Sequence, residues 1–222
     1  MKETFALFKN SELIVQNFEK MVYNLFEMNR WPKHDEIEKY FDLPKPYEPS
    51  FNRSDFEKLM KKELKAIMKR RKMCEIFSFS IPSLEALQTI TEFQPILEVG
   101  AGSGFWAALL IKNNCDIIAT TIDDKNHPFP KKFTEIEYLR AIDAIKKYPD
   151  RTVLCSWPSI DTWPEEILPY IKKRLILIGE EEITATDKFH EIIYNEFKEI
   201  KDCKLPRWLM IKDHLTVYER II

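Results

Sequence analysis

A chain of 222 residues with 45% hydrophobic residues can bury a substantial core in one full domain and still carry a smaller N-terminal appendage. Its net charge of −2, with both signs spread along the chain, excludes a global electrostatic pull toward nucleic acid or an anionic membrane. The four cysteines lie about 40 residues or more apart with no CxxC pair, which excludes a dense disulfide scaffold and favours free thiols in a reducing compartment.

The first ten residues lack an apolar run, so no signal peptide is expected and a cytoplasmic location is. Residues 11–29 carry Ile14, Phe18, Met21, Val22, Leu25 and Phe26 at helical spacing. Trp31 and Pro32 end that helix, and a short one is expected from Asp35 to Phe41. A proline-rich extended connection follows over Leu43 to Pro49. Ser54 and Glu57 form a capping-box pattern for a helix to about Met73. The basic run Lys69 to Lys72 at its end reads as a solvated face with cations suited to the helix C-terminus. After an extended segment over Phe77 to Pro82, a helix from Ser83 to Ile90 precedes the strand Ile96 to Val99.

From there strands and helices alternate. A helix covers Phe105 to Ile111, and a second strand covers Asp116 to Ile122, before a polar loop from Asp123 to Pro130. A short strand is expected over Phe133 to Ile136, a helix over Glu137 to Lys147, and a fourth strand over Thr152 to Ser156. A helix from Trp163 to Lys172 leads to the strand Arg174 to Ile178. Thr186 or Asp187 caps a helix to about Phe197, and two strand-like runs, Lys198 to Leu205 and His214 to Arg220, close the chain. Such alternation implies an α/β fold with a mostly parallel sheet and helices on both faces, binding ligands beyond the carboxyl ends of its strands.

Only four glycines occur, and three of them, Gly100, Gly102 and Gly104, alternate between the first of these strands and its helix. Strand, glycine loop and helix together present free backbone N–H groups to a nucleotide-like ligand. The spacing selects among such ligands. Phe105 stands where a dinucleotide fingerprint has its last glycine, which disfavours a nicotinamide-dependent oxidoreductase, and no Lys follows Gly104 as a P-loop requires. The remaining pattern is E-x-G-x-G-x-G, from Glu98 to Gly104.

This pattern resembles motif I of the class I S-adenosylmethionine-dependent methyltransferases. Four blocks extend the resemblance over residues 77–220: Ser80 to Leu87, Pro95 to Ala107, Leu154 to Pro158, and Leu205 to Trp208 with His214 to Tyr218. As a set they are similar to a little-characterised methyltransferase-like family with I-P-x-x-x-A-L, E-V-G-A-G-x-G-Y-W-A, C-W-P-P-type and L-P-R-W…L-x-V-Y segments. The resemblance implies a Rossmann-like class I methyltransferase fold over 76–222, with C-terminal antiparallel strands, behind an N-terminal helical extension or cap over 1–75. It implies S-adenosyl-L-methionine as cofactor and S-adenosyl-L-homocysteine as product, held by Glu98, Gly100, Ala101, Gly102, Gly104, Trp106 and Ser156. Members of the superfamily place an acid at the end of the second strand for the ribose; here that position is Thr121, with Asp123 just beyond.

Amino-group methyltransferases of this kind carry D/N-P-P-Y/F after the fourth strand. Ser156 to Asp161 stands there in variant form, with Trp157 as a flat wall and Asp161 as a proton acceptor. In the alternative reading Asp161 caps the next helix and Trp157 is core. The methyl acceptor is expected to be a small molecule, or an amino or hydroxyl group on a macromolecule, with neither membrane nor nucleic acid indicated. A catalytically inactive binding or regulatory protein on the same fold is the competing function. His190 and Glu191 begin an H-E-x-x-H pattern, but Tyr194 takes the second His position, so no metal site is expected.

Overall fold

Alternation along the strands sets the architecture. In β1 (Ile96–Val99), Ile96 packs into one hydrophobic layer, whereas Leu97 and Val99 pack into another. Leu154 and Ile176 join the first layer, while Val153, Cys155, Leu175 and Leu177 join the second. Every central strand is therefore covered on both faces, as a parallel sheet requires. In the computed structural model the described residues are 2–43, 53–122, 129–208 and 211–221, the side chains of 2–11 and 53–61 excepted.

Three helices precede the sheet: α1 (Lys2–Glu27), α2 (His34–Phe41) and α3 (Arg53–Ile76). Then come α4 (Leu84–Thr91), β1, α5 (Phe105–Lys112), β2 (Ile117–Thr121), β3 (Glu137–Tyr138) and α6 (Ala141–Lys147). The chain closes with β4 (Thr152–Ser156), α7 (Trp163–Ile167), β5 (Arg174–Gly179), α8 (Asp187–Glu196), β6 (Phe197–Lys204) and β7 (His214–Arg220). The strands form one seven-stranded sheet in the order β3-β2-β1-β4-β5-β7-β6. All pairings are parallel until β7, which runs antiparallel to both β5 and β6. This is the expected Rossmann-like α/β sheet with an antiparallel C-terminal pair. Chain order reverses beside β1, between β2 and β4, where such sheets open a crevice.

The layer on the Ile96 side holds α4 and α5 together with buried residues of α1, α2 and α3, such as Phe18, Phe41 and Met73. The other layer holds buried residues of α6, α7 and α8, such as Ile145, Ile167 and Phe189. Helix α5 is apolar all round and buried from Phe105 to Leu110, as a helix enclosed on every side must be. Among the described residues no helix is long and apolar enough to cross a membrane.

Several boundaries differ from the sequence reading. Helix α1 runs back to Lys2, and α3 already includes Arg53, so Ser54 lies inside a helix rather than capping one. Residues 44–49 of the expected proline-rich connection lie outside the described residues. Residues Phe133 to Ile136 form no strand: the Phe133 amide bonds to Ser103 O at 2.9 Å, and its ring packs 5.4 Å from Phe77. Strand β3 falls later, at Glu137 and Tyr138, so α6 starts only at Ala141. Helix α7 gives way to a 3-10 turn at Leu168–Tyr170, where Pro169 offers no amide to continue it.

Nor is the basic run at the end of α3 a freely solvated face. Lys69 Nζ donates to Phe41 O at 2.7 Å, Lys72 pairs with Glu19 at 3.3 Å, and the Arg70 guanidinium lies 5.2 Å from the Trp157 ring centre. Of the four, Arg71 is the exposed member, paired with Glu75 at 2.8 Å.

Candidate cofactor site at the glycine loop

The carboxyl ends of β1, β2, β4 and β5 point the same way, which brings the glycine loop, Thr121, Ser156 and Gly179 to one edge of the sheet. The loop is pinned to its neighbours: Ala101 N donates to Thr120 O at 2.9 Å, and Lys132 Nζ donates to Gly102 O at 3.0 Å. Ser103 Oγ donates to Phe77 O and accepts from Phe105 N at 3.2 Å, tying the loop to the segment that follows α3.

Two glycines are required by this geometry. Gly102 has φ +58°, and a Cβ there would lie 2.7 Å from the Phe129 ring. Gly104, with φ +71°, starts α5 from the left-handed region, and its Cβ would meet Thr134 and Ile136 at 3.0 Å. A side chain at either position would combine backbone strain with collision.

Beneath the loop lies a cavity of about 70 Å³, lined on its polar side by Glu98, Ser78 and Ser156 and on its apolar side by Phe105, Trp106 and Trp157. Gly100, Ala101 and Gly102 line it from the loop, and Phe79 and Phe129 are part of the same lining. Glu98 is only 2% exposed, and its Oε2 has no hydrogen-bond partner. Burial pushes its carboxyl up to about 8, against which the Ala107 backbone amide in the first turn of α5 works. The Trp106 indole Nε1, in the same lining, is also buried without a partner. Two residues of one lining thus carry a buried atom without a partner. Such buried groups are costly and call for a ligand or water.

Of the residues singled out from sequence, Glu98, Gly100, Ala101, Gly102, Trp106, Ser156 and Trp157 line this cavity. Gly104 holds the start of α5 behind it. Thr121 is buried at the end of β2, with its carbonyl accepting from Leu139 N at 2.9 Å, and is not part of the lining. Asp123 lies outside the described residues. Asp161 is exposed, its Oδ1 accepting from Thr162 N at 2.7 Å, and it too stands apart from the lining. Among the described residues no group of three or more His, Cys, Asp or Glu side chains is placed to hold a metal.

Sequence reading passed over three contributors. Phe129 covers Gly102, Phe79 stacks on Trp157 at 5.6 Å and 18°, and Asp213 accepts from Trp157 Nε1 at 2.9 Å. Phe129 falls within a polar loop read without periodicity, and Asp213 precedes β7 with no motif around it. Only the alternation Phe77-Ser-Phe79-Ser carried a signal, that of an extended segment with aromatics on one side.

The donor set suits the amino-acid end of S-adenosylmethionine. A carboxylate and an indole N–H in one cavity match an ammonium and a carboxylate on one carbon, and aromatic faces suit a neighbouring cation. At about 70 Å³ the cavity is smaller than the ~300–1,000 Å³ common for ligand pockets, and the Phe129 ring takes up the space beside Gly102.

No protein-family model matches the chain, and no curated protein matches it. Solved structures do resemble it. Precorrin-6y C5,15-methyltransferase from Geobacter metallireducens GS-15 is 15% identical, with a TM-score of 0.42 over 65% of this chain and 91% of that one. The N-methyltransferase NodS from Bradyrhizobium japonicum WM9, in complex with S-adenosyl-L-homocysteine, is 13% identical, with a TM-score of 0.39 over 56% of this chain and 76% of that one. Scores this low add nothing to the argument. The assignment of a Rossmann-like α/β fold rests on the strand order and direction of the sheet itself.

Proposed function

We propose that this protein is an S-adenosylmethionine-dependent methyltransferase. One observation carries the reading: Glu98 and Trp106, whose Oε2 and Nε1 are buried without partners, line one aromatic-rich cavity under the glycine loop. Glu98 would take the cofactor's ammonium, Trp106 its carboxylate, and the loop glycines would let the backbone approach the ligand. When bound, the cofactor supplies an electrophilic methyl group. The protein's part is to hold an acceptor in line with that group and to exclude water. Trp157 and Ser156, near the end of β4, line the same cavity, and there they would face the acceptor. The acceptor is a small molecule or an amino or hydroxyl group on a macromolecule.

Calorimetry with S-adenosylhomocysteine tests the reading. Wild type should bind it, and Glu98→Gln should bind at least about tenfold more weakly, as expected on losing a charge-assisted hydrogen bond. A folded wild type that gives no heat with either S-adenosylhomocysteine or S-adenosylmethionine removes the proposal. Binding without methyl transfer into any component of a cell extract would instead favour an inactive binding protein on this fold.

A further inference from the structure

Trp157 is held in a conformation that it would not adopt unaided. Its φ is +53°, in the left-handed region that bulky side chains avoid at a cost of roughly 1–3 kcal/mol. Such a conformer persists only where the surroundings dictate it, and four contacts do so here. The Trp157 amide donates to Ile178 O at 2.8 Å, and the indole Nε1 donates to Asp213 Oδ1 at 2.9 Å. The ring stacks on Phe79, and the Arg70 guanidinium sits 5.2 Å from its centre.

Asp213 is the unexpected member. It is fully buried, its Oδ2 has no partner, and its side chain bonds to Trp157 alone among the described residues. A buried carboxyl is expensive, and an apolar residue of that volume would serve packing better. The placement has a reason if the carboxyl acts on the indole. We infer that Asp213 is a positioning residue which, through the Trp157 indole, fixes the β4-end wall of the cavity against which the acceptor is presented. This rests on the methyltransferase reading for the word acceptor, whereas the hold on Trp157 does not.

The groups facing the carboxyl are Arg70 from α3, Cys74 one turn on, Glu180 after β5, and Arg207 and Trp157. Burial outweighs the two arginines and the indole bond, and with Glu180 it pushes Asp213 up to about 7. The indole should therefore sense a titration near neutral pH.

The test is 19F NMR of protein carrying 5-fluorotryptophan at its five tryptophans, the Trp157 resonance being assigned by its loss in Trp157→Phe. In wild type that resonance should move with pH around neutrality and shift again on adding S-adenosylhomocysteine. Asp213→Asn keeps an acceptor oxygen, so it should keep one sharp Trp157 resonance that no longer titrates. Asp213→Leu should split or broaden the resonance, because no acceptor then holds the indole. Should Asp213→Leu fail to fold, the loss of titration in Asp213→Asn decides. A Trp157 resonance that titrates equally in wild type and Asp213→Asn, or stays sharp and unmoved in folded Asp213→Leu, overturns the inference. Failure of folded wild type to bind either S-adenosylhomocysteine or S-adenosylmethionine removes the methyltransferase reading and leaves the NMR comparison standing.

Discussion

At the scale of single residues, Glu98 makes the sharpest prediction. Its folded value near 8 stands well above the ordinary 4.5, so folding takes up a proton between those values. Its contribution to stability is full below the lower value and is lost as pH rises toward the higher one, at about 1.4 kcal/mol per pH unit for one fully shifted group. Wild type should therefore lose stability in urea between about pH 5 and about pH 8, and Glu98→Gln should lose clearly less. Equal slopes for the two proteins would show that Glu98 is ionised in the fold. The same raised value predicts that binding an ammonium expels a proton at neutral pH, read by calorimetry in buffers of different ionisation heat. Phe129 gives a second prediction. Its ring occupies the space over Gly102, so Phe129→Ala should tighten S-adenosylhomocysteine binding by several-fold, whereas Gly102→Ala should abolish it and cost roughly 1–2 kcal/mol of stability.

At the scale of elements, the helix caps can be tested one at a time. Thr186 Oγ1 accepts from Phe189 N at 3.1 Å and donates to Glu165 Oε2 at 2.8 Å, so it both starts α8 and ties it to α7. Thr186→Ala should cost about 1–2 kcal/mol in urea denaturation, more than an isolated cap. That cap was legible from sequence because capping chemistry is local: one hydroxyl and an amide three residues on. The strands β1, β4 and β5 were legible for a similar reason, since a short aliphatic run between breakers has few alternatives. β3 was not. Phe133 to Ile136 has the composition of a strand, but the Phe133 ring is drawn into a long-range cluster with Phe26, Phe77 and Phe105. Pairing with β2 then falls to Glu137 and Tyr138, which carry no strand signal. The site divided along the same line. The glycine loop, Glu98 and Trp157 lie within motifs, whereas Asp213 and Arg70 reach Trp157 from 56 and 87 positions away along the chain, and no spacing rule connects them.

At the scale of the whole molecule, the question is whether residues 1–75 behave as an appendage. Their buried side chains have no core of their own. Phe18 of α1 and Phe41 of α2 meet edge-on at 5.0 Å, and both rings lie about as close to Trp208, at 6.1 and 5.9 Å, just before β7. Trp31 Nε1 donates to Pro82 O at 2.9 Å, ahead of α4. Helices from the start of the chain thus pack on residues near its end, and removing them would expose apolar residues of the layer they share with α4 and α5. Helical content, which α1 and α3 dominate, and tryptophan fluorescence should then report one transition in urea with the same midpoint. Phe18→Ala should lower that midpoint for both probes together, by about 3–5 kcal/mol of stability. Two separated transitions would instead mean that the N-terminal helices fold independently. The cofactor reading adds a constraint to the same experiment. A ligand held at the loop between β1 and α5 stabilises whatever unfolds with that loop, by about 2.7 kcal/mol at one hundred times its dissociation constant. With one cooperative core, S-adenosylhomocysteine should raise both midpoints equally. If only the fluorescence midpoint rises, the ligand is bound by a sheet that unfolds apart from the helices lying over it.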